Sequence, residues 1–350
     1  MIYGGRSGEH EVSIASAASV IKHLDPRRYE AVPILIGKDG RWAISATAPT
    51  AISAADVHKH AQTTALQPID PTTVISGSGI DVVFPVLHGP YGEDGTVQGL
   101  LELANVPYVG CGVLSSAVGM DKAVMKTMFA AAGLPLVKHI TVLRRDWQSH
   151  AGTLTTRVAT ELGYPVFVKP ANLGSSVGIS KAKSDADLVA AMELALQFDR
   201  KVVIEAGVVN AREIECAVLG NDEPVTSLPG EIIPSREFYD YESKYLDGAS
   251  KEVIPAELTP DQVSTIQRLS IEAFRAVEGS GLSRVDFLLS RDTGAMYLNE
   301  VNTMPGFTTI SMYPKMWAAS GLAYSDLIAR LIDLALERHA EKQQLKTSIT

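Results

Sequence analysis

The chain has 350 residues, two cysteines and a formal net charge of −9, and 46% of its residues are hydrophobic. This length and this proportion of hydrophobic residues are typical of a globular enzyme of two or three domains with sizeable cores. The acidic balance argues against non-specific nucleic-acid binding. The chain also shows neither a signal peptide nor an apolar run of the ~18 residues that a membrane span needs. Because Cys111 and Cys216 lack metal-ligand spacing, a reducing, cytoplasmic setting is expected.

The first hundred residues alternate short apolar runs with glycine-rich turns and amphipathic stretches. Strands are expected at residues 1–3, 31–37, 81–87 and 106–109, and helices at 9–24 and 96–104. This β-α-β alternation predicts a parallel sheet, whose ligands bind at the carboxyl ends of the strands. His88 stands at one such end, where a substrate contact and a hydrogen bond within its own loop are equally good interpretations.

Glu11 stands in the first turn of the helix that follows Gly4-Gly5. A glycine-rich turn between strand and helix lets a ligand approach the helix amino terminus. A carboxylate at this position suits the helix dipole, and it is equally well placed to meet the ammonium group of a ligand. The residues alone leave both interpretations open.

Two lysines occupy positions that favour phosphate binding. Lys122 lies in the first turn of a helix predicted at 122–132, where the helix dipole disfavours a positive charge. A phosphate group bound at that helix end would explain why a lysine stands there. Lys169 ends a strand predicted at 165–169 and precedes a loop rich in glycine and serine, residues 170–178. Loop N–H and O–H donors beside a lysine are typical of a phosphate site, although this loop lacks the P-loop pattern. An ordinary hairpin is the alternative.

Residues 236–250 are polar and irregular but rich in aromatic side chains. Long loops of this kind are often active-site lids. A surface loop that tyrosines pin to the body of the protein is the alternative.

Residues 284–308 carry the strongest chemical signal. Two apolar runs flank the turn at 290–294, which predicts a β-hairpin. Because alternate side chains of a strand share a face, Arg284 and Asp286 point the same way, as do Glu300 and Asn302. The turn places Asp286 opposite Glu300, so three hard oxygen ligands and one arginine converge, which suits Mg²⁺ with ATP phosphates. The other face supplies core residues: Val285, Phe287, Leu289, Leu298 and Val301. A charged, solvent-facing hairpin is the alternative.

Seven motifs occur in order along the chain. They are G-G-R-S-G-E-H-E-V-S at 4–13, H-G-P-Y-G-E-D-G-T at 88–96, M-D-K at 120–122, V-K-P-A-N-L-G-S-S-V-G at 168–178, R-E-I-E-C-A-V-L-G at 212–220, F-Y-D-Y-E-S-K-Y at 238–245 and N-E-V-N-T-M-P-G-F-T at 299–308. Together they resemble the D-alanine–D-alanine ligase family of the ATP-grasp superfamily, over essentially the whole chain.

The resemblance implies a mixed α/β and α+β fold. A parallel-sheet domain for substrate is expected at 1–117, followed by a two-part ATP-grasp fold. Its central subdomain, with the phosphate hairpin, would span 118–207, and its carboxyl-terminal subdomain, with the metal site and lid, 208–350. Family members usually have several more residues before Gly4-Gly5, so either the true start lies upstream or the first strand is short.

The resemblance also implies cofactors and roles for individual residues. ATP and two Mg²⁺ or Mn²⁺ ions are expected. The resemblance also allows for activation by a monovalent cation. The residues that would contact ATP are Lys122, Lys169, Glu205, Ala206, Val208, Glu213 and Lys244. The residues that would hold the metal ions are Asp286, Glu300 and Asn302.

Further roles concern the amino-acid substrates. Glu11 would pair with the ammonium group of the first D-alanine and form a hydrogen-bonded set with Ser175 and Tyr245 that closes the lid. Arg284 and the Gly306 N–H would stabilise the oxyanion. The residues that would contact substrate are Glu11, His88, Ser311 and Met312.

The product implied is D-alanyl-D-alanine, a peptidoglycan precursor, made through an acyl phosphate with release of ADP and phosphate. A cytoplasmic homodimer without nucleic-acid or membrane partners is expected. The nearest alternative is a D-alanine–D-lactate ligase, and the more distant one is a non-catalytic ATP-binding protein. A dinucleotide-binding oxidoreductase is discounted, because residues 4–8 do not fit G-x-G-x-x-G.

Overall fold

The computed structural model describes residues 1–44, 67–68, 70, 79–234, 250–308, 310–346 and 348. The first sheet runs in the order β4-β3-β2-β1-β5. Its strands are β1 (Ile2–Gly4), β2 (Ile34–Ile36), β3 (Trp42–Ile44), β4 (Gln67–Pro68) and β5 (Pro85–Val86). β1 pairs in parallel with β2 and β5, as predicted, and β3 and β4 add an antiparallel edge. Helices α1 (His10–His23) and α2 (Thr96–Leu103) also match their predictions within two residues.

The strand predicted at 81–87 is shorter in the structure. Only Pro85–Val86 pairs with β1, and Val83 forms an isolated bridge to Tyr108 in place of the strand predicted at 106–109. Pro85 has no N–H to donate, which limits the ladder.

Two helices link the first sheet to the second. α3 (Val113–Met120) was not predicted, because Gly110, Gly112 and Gly119 interrupt the helical pattern. α4 (Lys122–Ala131) begins as predicted at Asp121, whose carboxylate accepts the N–H groups of Ala123 and Val124, each at 3.1 Å.

The second sheet is antiparallel and runs in the order β6-β9-β7-β8. Its strands are β6 (His139–Leu143), β7 (Val166–Pro170), β8 (Ser180–Ala182) and β9 (Lys201–Ala206). Helices α5 (Arg144–Glu161) and α6 (Asp185–Phe198) cover one face and bury Trp147, Val158 and Leu188 against it. α5 is kinked at His150, and its largely polar first half carries little helical signal in the sequence.

The third sheet runs in the order β13-β12-β10-β14-β15, with β11 paired to β10. Its strands are β10 (Ala211–Gly220), β11 (Val225–Thr226), β12 (Gly230–Ile233), β13 (Lys251–Val253), β14 (Gly281–Ser290) and β15 (Met296–Asn302). The predicted hairpin is confirmed as β14–β15, with Asp286 opposite Glu300 and the five predicted core residues buried. The register shifts between Asp286 and Phe287, which leaves Asn299 as the extra residue of a β-bulge.

Three helices complete the described part of the chain: α7 (Pro260–Ala276), α8 (Met312–Ala319) and α9 (Tyr324–Gln343). Phe84, which directly precedes β5 of the first sheet, shares a hydrophobic core with Phe307, Tyr313 and Leu327. The domain boundaries expected after residues 117 and 207 remain a prediction, because this core joins elements on both sides of them. Among the described helices, not one combines the length and apolar character needed to cross a bilayer.

Arg338 of α9 fastens the carboxyl-terminal helix to the rest of the protein. Its guanidinium donates to the carbonyl groups of Tyr108 and Gly110 and to the Ser280 hydroxyl, and lies 4.5 Å from the Tyr108 ring centroid. We expect Arg338→Met to lower the free energy of unfolding by about 2–4 kcal/mol, since hydrogen bonds from a charged donor are lost.

Urea denaturation at an unchanged m-value measures this effect. Arg330→Met is the matched control on the same helix, because Arg330 is exposed and its guanidinium lies 3.9 Å from the carboxylate of Glu337, too far for a strong ion pair. An equal loss of stability in both variants would contradict the role given to Arg338.

Candidate active site

Two adjoining cavities of about 560 and 430 Å³ lie between the three sheets. The first chamber is bounded by α1, the Pro305-Gly306 turn and Ser311, and the second by β7, β9 and β10. They share a wall, made of Lys122, Leu173, Gly174, Ser175, Glu215, Arg284 and Glu300. The fold therefore brings together residues that the sequence analysis had singled out on separate elements.

Arg284 is held at this wall by two carboxylates. Its Nε and Nη2 donate to Asp286 at 2.7 and 2.6 Å, and its Nε lies 3.2 Å from Glu215 Oε2. Burial alone would lower the pKa of Arg284, but Asp286 and Glu215 together raise it well above its ordinary value. Arg284 is thus a fixed positive charge facing both chambers.

The predicted metal ligands lie on the same face of the sheet. Asn302 Nδ2 donates to Asp286 Oδ2 at 2.9 Å, and Glu300 lies 3.8 Å from the Lys122 ammonium. As these side chains are arranged, no three His, Cys, Asp or Glu among the described residues could hold a metal ion. Their oxygen atoms are the hard donors that Mg²⁺ prefers, so the residue types fit the ion and the assignment stays a prediction.

Lys169 and Glu205 form part of a buried ionic network. Glu205 Oε2 lies 2.8 Å from the Lys169 ammonium, and Oε1 lies 3.0 Å from the ammonium of Lys126. Burial alone would raise the pKa of Glu205, but the two lysines hold it at about 2. Burial likewise lowers the pKa of Lys169, but Glu205 and Glu300 outweigh it and raise that pKa. Glu205 also lines the second chamber, so its expected contact with the adenine stays a prediction.

The hydrogen bond expected between Glu11 and Ser175 is wrong. The Ser175 hydroxyl donates to Glu9 Oε1, whereas Glu11 lies 2.6 Å from the Lys38 ammonium with 58% of its side chain exposed. Glu9 precedes α1 and so turns toward the glycine-serine loop, while Glu11 lies one position beyond the start of the helix and points to the rim of the chamber.

His88 is buried in the floor of the first chamber. Its Nδ1 lies 3.0 Å from the Met304 carbonyl, so this nitrogen carries the proton, and Nε2 lies 3.4 Å from the Ser16 hydroxyl. Burial lowers the pKa of His88, which favours the neutral ring. Nearby, burial and the charge of Glu9 raise the pKa of Glu93 to about 8. His88 thus ties the turn at Met304 to α1, which neither of its two sequence interpretations had included.

Gly306, Ser311 and Met312 lie at the far end of the first chamber. Ser311 is the N-cap residue of α8, and its hydroxyl accepts the Thr308 N–H at 3.0 Å. A Cβ on Gly306 would come within 2.8 Å of the Ser311 hydroxyl, so a larger residue would displace it. The helix amino terminus and the hydroxyl can together hold a carboxylate.

The second chamber is lined by the residues expected at the nucleotide: Lys122, Lys169, Glu205, Ala206, Val208 and Glu213. Lys244 and Tyr245 of the predicted lid lie outside the described residues.

Sequence analysis missed four residues at this site. Glu215 follows Glu213 by two positions on one strand face, and Lys126 follows Lys122 by four on one helix face, so both had a periodic signal. Glu9 was present in the first motif. Asn299 opens the last motif, but its place in a β-bulge could not be predicted from strand alternation.

The second chamber lies between two antiparallel sheets and is enclosed by a glycine-serine hairpin and a charged sheet face. This arrangement is that of an ATP-grasp ligase. Two family models match the chain, D-ala D-ala ligase N-terminus at residues 1–111 and D-ala D-ala ligase C-terminus at 128–333. The chain therefore belongs to the D-alanine–D-alanine ligase family, whose members are ATP-dependent enzymes that need divalent metal ions.

Relatives and solved structures agree with this family. The D-alanine–D-alanine ligases of Heliobacterium modesticaldum and Geobacillus kaustophilus are 51% and 52% identical, each over 99% of this chain and 96% of the relative. The D-alanine-D-alanine ligase structure from Coxiella burnetii has a TM-score of 0.86 at 37% identity, covering 98% of this chain and 94% of that one. The VanG D-Ala:D-Ser ligase from Enterococcus faecalis has 0.84 at 36%, covering 95% and 98%.

Proposed function

We propose that this chain joins two D-alanine molecules into D-alanyl-D-alanine at the expense of ATP, for peptidoglycan precursor synthesis. The observation that carries the proposal is the wall shared by the two chambers, where Arg284 and Glu300 face an amino-acid chamber on one side and a nucleotide chamber on the other. A phosphoryl group can pass between two ligands only if both reach one such place.

Nucleotide binding is assigned to the second chamber. The phosphates would meet Lys122, Lys169 and, from the segment outside the described residues, Lys244. Glu205 and the main chain at Ala206 and Val208 would meet the adenine, and Glu213 the ribose hydroxyls. This division is supported by Lys122, which belongs to the wall shared with the first chamber.

Divalent ions are assigned to Asp286, Glu300 and Asn302, with Mg²⁺ as the natural ion and Mn²⁺ as a substitute. When bound, they would neutralise phosphate charge and orient the transferred group. Glu215 also pairs with Arg284, so it would keep Arg284 in place when Asp286 takes part in metal binding. A monovalent activator is a further expectation of the family resemblance.

The first D-alanine is assigned to the chamber beside α1. Its ammonium group would pair with Glu9 rather than with Glu11. Ser175 would link Glu9 to the lid residue Tyr245 and so close the chamber against water, which would hydrolyse an acyl phosphate.

The chemistry follows from these positions. A carboxylate is a poor electrophile, so its oxygen first takes the γ-phosphoryl group of ATP to give an acyl phosphate. The free amine of the second D-alanine, its carboxylate held by Ser311 and the Met312 N–H, attacks the acyl carbon. Arg284 and the Gly306 N–H stabilise the oxyanion that forms, and phosphate leaves. Losing one such donor costs about 3–4 kcal/mol of barrier in comparable sites.

Phosphate release against a panel of D-amino and D-hydroxy acids tests the proposed function. Release that requires D-alanine and yields a dipeptide supports it, whereas nucleotide binding without turnover would support the non-catalytic alternative. A cytoplasmic homodimer is proposed as well, and light scattering of the purified chain measures its assembly state.

Glu9→Gln should lower kcat/KM for D-alanine by about 30- to 150-fold, because losing one partner of a desolvated charge pair costs about 2–3 kcal/mol. Glu11→Gln is the matched control: an exposed carboxylate paired with Lys38 contributes little, so a change below about threefold is expected. Initial rates at varied D-alanine measure both. The reverse order of effects would restore Glu11 as the ammonium ligand.

A further inference from the structure

Lys126 is a fully buried lysine on α4, and neither chamber, as bounded by the described residues, includes it. Its ammonium lies 3.0 Å from Glu205 Oε1 and donates to the Asn299 carbonyl at 3.2 Å. Lysine is almost never fully buried unless its charge is paired. The ion pair with Glu205 therefore explains how Lys126 can be fully buried.

Glu205 lies between two lysines. Each carboxylate oxygen has one partner, Lys126 at Oε1 and Lys169 at Oε2, the latter at 2.8 Å. Asn299 closes a ring, because its carbonyl accepts from Lys126 and its side-chain oxygen accepts from Lys169 at 3.1 Å. Two ammonium groups and one carboxylate leave a net charge of one positive unit. Without Lys126 the remaining pair would be neutral.

We propose that Lys126 is a positioning residue that reserves the positive charge of Lys169 for the phosphate groups of the nucleotide. It neutralises Glu205 from the side away from the second chamber, whereas Lys169 lines that chamber. The carboxylate can then orient Lys169 without cancelling its charge. The inference rests on the proposed nucleotide role of Lys169.

Lys126→Met in the full chain tests the inference by titration calorimetry with ADP. The dissociation constant should rise about tenfold, as expected for removing a unit charge at roughly 10 Å and an effective dielectric constant near 20. The KM for D-alanine should stay within about twofold of wild type. An unchanged ADP affinity would overturn the proposal.

The double variant Lys126→Met/Glu205→Gln separates charge from packing. It removes the negative charge as well, so Lys169 alone again supplies one positive unit, and ADP should bind more tightly than to Lys126→Met even though any contact of Glu205 with the nucleotide is lost. It also avoids leaving a buried carboxylate with a single partner, so it remains informative if the single variant does not fold. A double variant that binds ADP as weakly as expected for the single one would refute the charge argument.

Lys201→Met is the matched control, since Lys201 pairs with Asp121 and so joins the same strand β9 to the start of α4. It should leave ADP affinity within about twofold. An equal loss of ADP affinity in Lys201→Met and Lys126→Met would mean that Lys126 only holds α4 against β9, and it would overturn the inference. Lys169→Met tests the nucleotide site separately from the role of Lys126. If Lys169→Met leaves ADP affinity unchanged, the proposed nucleotide site is wrong. If Lys169→Met weakens ADP binding while Lys126→Met does not, only the role given to Lys126 is wrong.

Discussion

Glu300→Gln should lower kcat by roughly 10²–10³-fold while the protein stays folded, since groups that stabilise transferring charge in comparable sites contribute about 3–4 kcal/mol. Glu300 belongs to the wall shared by both chambers and lies opposite Asp286 in the hairpin. An amide keeps the size of the side chain and removes its charge. Phosphate release at saturating D-alanine and ordinary Mg²⁺ measures the loss.

A second readout does not depend on turnover. Bound Mn²⁺ in the presence of ADP, followed by electron paramagnetic resonance, should fall in Glu300→Gln. Glu272→Gln is the matched control, because Glu272 is a surface residue paired with Arg268 on α7. Near wild-type ligation and Mn²⁺ binding in Glu300→Gln would remove Glu300 from the metal site.

The hairpin that carries Glu300 was predictable because strand alternation is a local property. Arg284 and Asp286 share a face by their spacing alone, and the structure confirms the pairing of Asp286 with Glu300. The bulge at Asn299 was not predictable, since it depends on how two strands meet. It explains why Leu298 and Val301, three positions apart, both reach the core.

Sequence analysis was weaker where tertiary packing decides the outcome. Helix α8 was missed because its sequence has Pro314 in the first turn and no side-chain cap, although proline is tolerated where the N–H would have no helical partner. Glu9 and Glu11 are two positions apart in one motif, and only the docking of the glycine-serine loop shows which carboxylate meets Ser175. Lys126 pairs with a residue almost eighty positions away, beyond any local pattern.

Competition between acceptors should give mainly D-alanyl-D-alanine at neutral pH, even with D-lactate in equal supply. The motivating residue is Tyr245, which lies outside the described residues; the family resemblance implies that tyrosine at this lid position accompanies D-alanine as acceptor. An amine arrives as an ammonium ion, whereas a hydroxy acid is uncharged at that end. In the proposed closed state a neutral Tyr245, linked through Ser175 to Glu9, would accept the ammonium without repulsion, whereas a cationic residue would repel it.

The charge of the acceptor's amino group also determines how the product ratio depends on pH. The attacking amine must lose its proton, so its reactive fraction falls as pH falls, while the hydroxyl group of D-lactate does not titrate. The share of D-alanyl-D-lactate should therefore rise toward low pH. Tyr245→Phe should slow ligation by loosening lid closure, and Lys244→Ala should mainly weaken the use of ATP.

D-Serine belongs in the same competition, because the structure of a D-Ala:D-Ser ligase is among the similar ones. Its added hydroxyl group is a small change, and an apolar pocket rejects such an analogue by only about 10²-fold. D-Alanyl-D-alanine should still exceed D-alanyl-D-serine when both acceptors are equal. Products separated by chromatography and counted give the answer directly. A majority of D-alanyl-D-lactate from the wild-type chain would make it a depsipeptide ligase, and a majority of D-alanyl-D-serine would move its specificity to that of the Enterococcus enzyme.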